Sequence, residues 1–185
     1  MNSGLYSIHL PTSSLNRLLL TQIKRYFFIG RTAGEDQDCA DAAGSYRLTD
    51  VEMLMIEKVN TYFDQIIIVL NVTNIMDMYW LESIKNKQSI QAVLYSRAAG
   101  MQSGHTLTDI LCGAISPSVC LSKTIAYQLS DYPSSANFGC KDYNLYIEDI
   151  YLGYRYFETF NSQAVQYGFG RVFHILSLAA NWFHT

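Results

Sequence analysis

A short polar loop with three carboxylates is the part of this 185-residue sequence best suited to chemistry. It follows the apolar run 26–29 and reads Gly30-Arg31-Thr32-Ala33-Gly34-Glu35-Asp36-Gln37-Asp38. In an open α/β sheet, reactive groups lie just beyond the carboxyl ends of the strands. A carboxylate there can act as a general acid or base when its surroundings tune its pKa, and Glu35 is the first candidate. The alternative is a solvated loop carboxylate, the common state of a glutamate in a loop.

The other polar residues near this loop have structural as well as chemical interpretations. Arg31 is suited to an ion pair with a loop carboxylate, and Asp36 and Asp38 are suited to hydrogen bonds with nearby backbone. His105 has no Ser or Cys nucleophile motif beside it, which disfavours a catalytic role. The loop glycines do not form G-x-G-x-x-G and no Walker-type lysine follows. A nucleotide-binding domain therefore stays only as a weaker alternative.

Composition and charge exclude several classes of protein. Hydrophobic residues make up 49% of the chain and charged residues 16%, as in one globular domain rather than a disordered chain. The net charge of -3 gives no reason to expect a nucleic-acid or membrane partner. The four cysteines form no C-x-x-C pair, so ordinary reduced cysteines and no metal are expected. No signal peptide is recognisable, and a cytoplasmic location is the default expectation.

The elements needed to position the loop can be recognised from periodicity. Residues 15–24 have helical spacing, and residues 26–29 form a short strand candidate that stops at Gly30. Thr49 and Glu52 fit a capping box that opens a helix, in which Val51, Leu54, Met55 and Val59 recur at helical spacing. The β-branched run 65–71 predicts a central parallel strand covered on both faces.

The second half of the chain continues this alternation before it changes character. A short helix at 74–80, a strand at 90–95, a loop at 98–105 and a helix at 106–112 are predicted, and the whole pattern indicates a mostly parallel sheet flanked by helices. Residues 127–170 are rich in Tyr, Asn, Asp and Gly with little periodicity. They are expected to form extended loops over one face of the domain.

Several motifs along the chain, in order and with the right spacing, resemble the α/β sandwich domain of family 3 glycoside hydrolases, the β-glucosidase family. The loop at 30–38 resembles the acid/base loop of that family. The other matches are Tyr46-Arg47-Leu48 with Glu52, Ile67-Ile68-Val69-Leu70-Asn71-Val72, Met78-Tyr79-Trp80, Ala92-Val93-Leu94-Tyr95 with Gly100 and Gly104, Asp109-Ile110-Leu111-Cys112-Gly113, Pro117-Ser118 with Thr124, Glu148-Asp149-Ile150-Tyr151-Leu152-Gly153-Tyr154-Arg155-Tyr156-Phe157, and Phe169-Gly170. The matches cover about residues 25–170, and the block at 148–157 is the most specific.

The resemblance implies an activity and a set of site residues. Such enzymes hydrolyse terminal, non-reducing β-D-glucosyl residues with retention, and Glu35 would be the general acid/base. Arg31 and Asp38 are candidates for substrate binding, and no cofactor or metal is implied. The expected partners are a β-glucoside or oligosaccharide substrate and a barrel domain carrying the aspartate nucleophile. No barrel is recognisable here, so the chain is expected to be an incomplete sandwich domain that is inactive by itself.

Departures from the family pattern keep a second interpretation open. Arg97 stands where an aromatic residue is common, Ala99 and Ser103 replace loop glycines, and Val119 replaces a turn glycine. The expected organisation is a disordered leader at 1–14, a partial α/β sandwich at 15–170 and a divergent tail at 171–185, which indicates a truncated or frame-shifted copy. The alternative function is a non-catalytic carbohydrate-contacting module or an inactive fragment.

Overall fold

A three-stranded parallel sheet forms the centre of the molecule. The computed structural model describes residues 24–31, 40–85, 87–97, 100–117, 120–137, 142–143 and 145–170. Within these residues the sheet has the order β1-β2-β3, with β1 at Arg25–Gly30, β2 at Ile66–Asn71 and β3 at Ile90–Ser96. The predicted leader at 1–14, the tail at 171–185 and residues 15–23 of the predicted first helix lie outside the described residues.

The central strand β2 is buried on both faces, as the sequence predicts. Ile66, Ile68 and Leu70 point into the larger core cluster, which also contains Ile29 from β1 and Ile56. The intervening residues of β2 join a smaller cluster on the opposite face. A continuous β-branched run is typical of a parallel strand that is covered on both sides. The expected α/β architecture, a parallel sheet flanked by helices, is therefore confirmed.

Helix α1, at Asp50–Tyr62, begins at the predicted capping box. The Thr49 hydroxyl accepts a hydrogen bond from the Glu52 amide at 3.2 Å, and the Glu52 carboxylate accepts one from the Thr49 amide at 2.8 Å. The helix does not bury the apolar series singled out in the sequence, however, because Val51, Leu54 and Met55 are exposed. The buried residues are instead Ile56 and Asn60, with Met53 and Val59 partly buried beside them. Apolar residues occur on both sides of α1, so periodicity alone does not select the packed side.

Replacing Thr49 with alanine should lower the free energy of unfolding by about 1 kcal/mol, the usual cost of removing an N-cap hydroxyl. The Glu52 amide would then lose its hydrogen-bond acceptor at the first turn of α1. Urea unfolding followed by circular dichroism measures this change. Thr61→Ala is the matched control, because the Thr61 hydroxyl only donates to the Glu57 carbonyl on the exposed side of the same helix. Equal effects of the two substitutions would contradict a capping role for Thr49.

Two helix boundaries differ from the predicted ones. Residues 74–79 are irregular, and helix α2 occupies Trp80–Ser83. The Asp77 carboxylate accepts a hydrogen bond from the Tyr79 amide at 2.9 Å, a local turn that competes with helix formation. Helix α3, at Ser103–Leu111, starts three residues earlier than predicted, since the Gly100 carbonyl already accepts from the Ser103 amide. No helix within the described ranges is long and apolar enough to span a bilayer.

The C-terminal part of the described chain has more regular structure than its sequence suggests. A two-residue strand β4, at Ile125–Ala126, pairs antiparallel with β5, at Val165–Tyr167. Between them lie short 3-10 turns at Leu129–Asp131, Pro133–Ala136 and Ser162–Ala164, and helix α4 at Tyr154–Phe160. The predicted loop layer therefore encloses a helix, and aromatic pairs such as Tyr132 with Phe157, 5.3 Å between ring centroids, hold it together.

Candidate active site

The carboxyl ends of the three parallel strands lie level with one another, at the edge where the sequence predicts the site. Gly30 is in register with Asn71, and Asn71 with Ser96. Just past this line, the Arg31 amide donates to the Asn71 carbonyl at 3.2 Å, and the Val72 amide donates to the Ser96 carbonyl at 3.3 Å. The chain that leaves β1 therefore starts from a fixed position on the sheet.

Arg31 fixes the entrance of the predicted acid/base loop. Its guanidinium makes a two-pronged ion pair with the Glu52 carboxylate, with N–O distances of 2.7 and 2.8 Å. The remaining N–H groups donate to the carbonyls of Gly30, Ser45 and Arg47. The Arg31 side chain is only 11% exposed. Paired, planar hydrogen bonds of this kind are the strong form of the arginine–carboxylate interaction.

Glu52 joins the loop entrance to helix α1. One of its carboxylate oxygens accepts from Arg31 and from both the amide and the hydroxyl of Thr49. Burial alone would raise the pKa of Glu52, but the hydrogen bonds from Arg31 and Thr49 outweigh it and hold that pKa below its ordinary value. Glu52 is therefore ionised at neutral pH, and it stabilises both the helix start and Arg31.

The exit of the loop is fixed by a compact turn. The Ala40 carbonyl accepts from the Tyr46 amide at 3.2 Å, and the Gly44 amide donates to the Arg47 carbonyl at 2.9 Å. Gly44 has a φ of 82°, which favours glycine at this position. The Tyr46 carbonyl in turn accepts from the Asp77 amide at 2.9 Å, which ties the turn to the segment after β2.

The structure describes only some of the predicted site residues. Glu35, Asp36 and Asp38 lie in the segment 32–39, outside the described residues, so their roles stay predictions. Arg31 forms the expected ion pair, but with Glu52 on α1 rather than with a loop carboxylate. A substrate-binding role for Arg31 stays a prediction as well. His105 is exposed on α3.

Six aromatic residues of the sequence are able either to stack on a sugar ring or to pack inside the protein, and packing is the prediction for all six. Trp80 is buried in the main core cluster, which confirms packing there. Tyr143, Tyr146 and Tyr151 are exposed, so the packing prediction is wrong for these three residues, whereas Tyr154 and Tyr156 are partly buried. Within the described residues, no group of three His, Cys, Asp or Glu side chains is placed to hold a metal ion.

The capping role of Glu52 is recognisable in the sequence, whereas its ion pair with Arg31 is not among the predicted contacts. The order of elements could have predicted this ion pair. Because α1 follows β1, its first turn lies at the same edge of the sheet as residue 31. No comparable feature of the sequence predicts the hydrogen bond from the Asp77 amide to the Tyr46 carbonyl. These two residues are far apart in sequence, and the motif that contains Tyr46 does not include Asp77.

Comparison with known families gives one continuous match. Residues 26–154 match the family described as the glycosyl hydrolase family 3 C-terminal domain. The chain is 46% identical over 142 residues to a β-glucosidase from Ruminococcus albus, and 40% identical over 130 residues to β-glucosidase A from Butyrivibrio fibrisolvens. These alignments cover 77% and 69% of this chain but only 15% of either relative.

Solved structures give the same result. The chain superposes on a β-glucosidase from Paenibacillus barengoltzii with a TM-score of 0.75 at 45% identity, covering 88% of this chain and 18% of that protein. It also superposes on β-glucosidase 3B from Thermotoga neapolitana, solved in complex with glucose, with a TM-score of 0.70 at 29% identity. That match covers 84% of this chain and 22% of the other. The chain therefore spans less than a quarter of each of these proteins.

Proposed function

Because this chain belongs to glycosyl hydrolase family 3, with residues 26–154 matching its C-terminal domain, we propose that it provides the acid/base half of a β-glucosidase-type active site. The reaction is hydrolysis of a terminal, non-reducing β-D-glucosyl residue with retention of configuration. Glu35 protonates the departing glycosidic oxygen in the first step and removes a proton from the attacking water in the second. Both steps need carboxyl groups only, so no metal or organic cofactor is part of the proposal.

The observation that carries this proposal is the anchoring of both ends of the segment 32–39. At one end Arg31 is held by Glu52, and at the other the Ala40 carbonyl is bonded to the Tyr46 amide. Catalytic groups need a fixed geometry, which rigid supporting elements supply. Anchors at the carboxyl edge of a parallel sheet support a catalytic role for a carboxylate carried between them.

The second carboxylate of the mechanism is proposed to come from outside this sequence. A retaining enzyme needs its two carboxyl groups about 5–5.5 Å apart, on either side of the scissile bond. In the resemblance on which the proposal rests, the nucleophile is an aspartate of a barrel domain. The chain spans 15% of the Ruminococcus albus β-glucosidase. We therefore expect the 185-residue chain to need that barrel as a partner for turnover.

The test compares the chain alone with a hybrid enzyme, in which residues 26–154 replace the corresponding segment of the Ruminococcus albus β-glucosidase. The expected result is release of 4-nitrophenol from 4-nitrophenyl β-D-glucopyranoside by the hybrid enzyme and none by the chain alone. Proton NMR of the first-formed sugar should show the β-anomer. An inactive hybrid enzyme that unfolds cooperatively would contradict the proposal and favour the non-catalytic module. The α-anomer as first product would contradict retention.

A further inference from the structure

A cavity of about 450 Å³ lies beside the point where the chain re-enters the described structure after residue 39. Its volume is within the range of about 300–1,000 Å³ that is typical of small-molecule sites. The wall is formed by the turn after residue 40, the irregular segment after β2 and the chain after β4. Its lining residues are Asp41, Tyr46, Arg47, Asp77, Tyr79, Tyr127, Gln128, Leu129 and Ser130.

The Tyr46 side chain in this wall carries an unused hydrogen-bonding group. Tyr46 is 2% exposed, and its hydroxyl has no hydrogen-bond partner among the described residues. A buried hydroxyl without a partner is destabilising, because folding removes its hydrogen bonds to water and supplies none in return. Burial raises the pKa of Tyr46, and Tyr132, Asp77 and Asp41 raise it further while Arg47 lowers it. The hydroxyl is therefore a protonated donor, close to three charged residues of the cavity.

The charges of the lining favour a neutral ligand. Arg47 and Asp41 neutralise each other through two hydrogen bonds of 2.6 and 2.9 Å. Asp77 is the remaining charged residue of the lining, and one of its oxygens accepts from the Tyr79 amide. This combination offers acceptors to hydroxyl groups, and none of the described lining residues supplies an unpaired cation that would hold a phosphate or carboxylate.

Two aromatic side chains complete the wall. Tyr79 is 55% exposed and Tyr127 is 40% exposed, so both side chains are accessible to a ligand. A tyrosine presents an apolar ring together with a polar tip, which suits the apolar C–H face and the hydroxyl rim of a sugar. Gln128 and Ser130 add further polar groups. The lining thus combines flat apolar surfaces with neutral hydrogen-bonding groups.

We propose that this cavity is a second saccharide-binding site, separate from the segment 32–39 that carries Glu35. In this site the Tyr46 hydroxyl donates to a sugar hydroxyl, Asp77 accepts from one, and Tyr79 and Tyr127 contact the ring faces. The choice of a β-linked glucose oligomer as ligand rests on the proposed function. The site itself rests on the cavity and on the unpartnered hydroxyl.

The experiment is a titration of the full 185-residue chain with cellobiose, observed by saturation-transfer NMR. We expect Tyr46→Phe and Tyr79→Ala each to weaken cellobiose binding about tenfold, the effect of losing one net hydrogen bond or ring contact. Tyr62→Ala is the matched control, because Tyr62 is an exposed tyrosine of α1 that does not line the cavity. It should bind cellobiose like the unaltered chain.

Thermal unfolding separates a binding role of the hydroxyl from a structural one. Tyr46→Phe should unfold at the same or a higher temperature, because the hydroxyl has no partner to lose within the described fold. A lower unfolding temperature for Tyr46→Phe would mean that the hydroxyl makes a hydrogen bond within the protein. That result would overturn the proposal. So would an absence of cellobiose binding by a cooperatively folded chain, or binding that neither Tyr46→Phe nor Tyr79→Ala weakens.

A variant of the proposed acid/base residue distinguishes this inference from the proposed function. Cellobiose should bind Glu35→Gln as tightly as the unaltered chain, even if the hybrid enzyme proves inactive. Loss of binding in Glu35→Gln would place the sugar at the segment 32–39 and remove the separate site. If Glu35→Gln still binds cellobiose and the hybrid enzyme is inactive, only the catalytic proposal is contradicted. The chain would then be a saccharide-binding module.

Discussion

Replacement of Glu35 by glutamine is expected to lower kcat of the hybrid enzyme for cellobiose by about 10²- to 10⁴-fold, the usual contribution of a positioned general acid or base. Glutamine keeps the size of the side chain but cannot protonate the departing glucose. With 2,4-dinitrophenyl β-D-glucopyranoside the first step should be nearly unaffected, because that leaving group departs without a proton. The second step would still lack a base, so a glucosyl-enzyme should accumulate as an initial burst.

Added azide provides the sharper measurement of the same substitution. Azide attacks the glucosyl-enzyme without help from a base, so it should restore turnover of the dinitrophenyl substrate and yield β-glucosyl azide. The isosteric control is Glu57→Gln, on the exposed surface of α1. It should leave kcat for both substrates unchanged. An equal loss with cellobiose and with the dinitrophenyl glucoside, without rescue by azide, would exclude Glu35 as the acid/base.

Replacement of Glu52 by glutamine is expected to lower the free energy of unfolding by about 2 kcal/mol, the scale of hydrogen bonds to charged groups. The substitution removes one of the two acceptors that face Arg31 and directs an amide N–H at the guanidinium. The guanidinium then remains largely buried beside the carbonyls of Ser45 and Arg47 with its charge unpaired. Urea unfolding of Glu52→Gln at pH 7 measures the loss, with Glu57→Gln as the exposed control. A difference of less than about 0.5 kcal/mol, the ordinary range for surface sites, would contradict the anchor.

The effect of Glu52 should depend on pH in a defined direction. Its folded pKa is lowered, so its contribution is complete above the unfolded pKa of about 4.3 and disappears as the pH falls through the folded value. The difference in stability between the unaltered chain and Glu52→Gln should therefore be constant from pH 8 to pH 5 and should shrink below about pH 4. A stability difference between the unaltered chain and Glu52→Gln that grows on acidification would contradict a stabilising ion pair between ionised Glu52 and Arg31.

The sequence predicts those parts of the fold in which the local conformational preference of a segment agrees with its burial in the whole domain. β2 is a long β-branched run, so its identity and its central position follow from composition, and the three strands occur where they are expected. The capping box at Thr49 is a contact between residues three positions apart, and a contact of this range can be recognised in a sequence. The family motifs added the resemblance from which a general acid/base role is predicted for Glu35.

Features that depend on contacts between distant residues were not predictable. The exposed Val51 and Leu54 have the helical spacing that would also fit a buried face, and only the packed structure shows that Ile56 and Asn60 are on the inside. The cavity around Tyr46 requires three separate segments to meet, and no spacing in the sequence records that meeting.

The pairing of β4 with β5 has a consequence for the continuity of the chain. Ile125 is in register with Tyr167, and the Gly170 amide donates to the Leu121 carbonyl at 2.8 Å, so both ends of the segment 127–164 are held at one place. Tyr167 packs against the same core cluster that contains Ile125. A proteolytic cut within 127–164 would therefore leave two pieces joined by backbone hydrogen bonds and apolar contacts. Their association would then depend on protein concentration, because β4 and β5 would belong to two separate molecules and would no longer be linked by one chain.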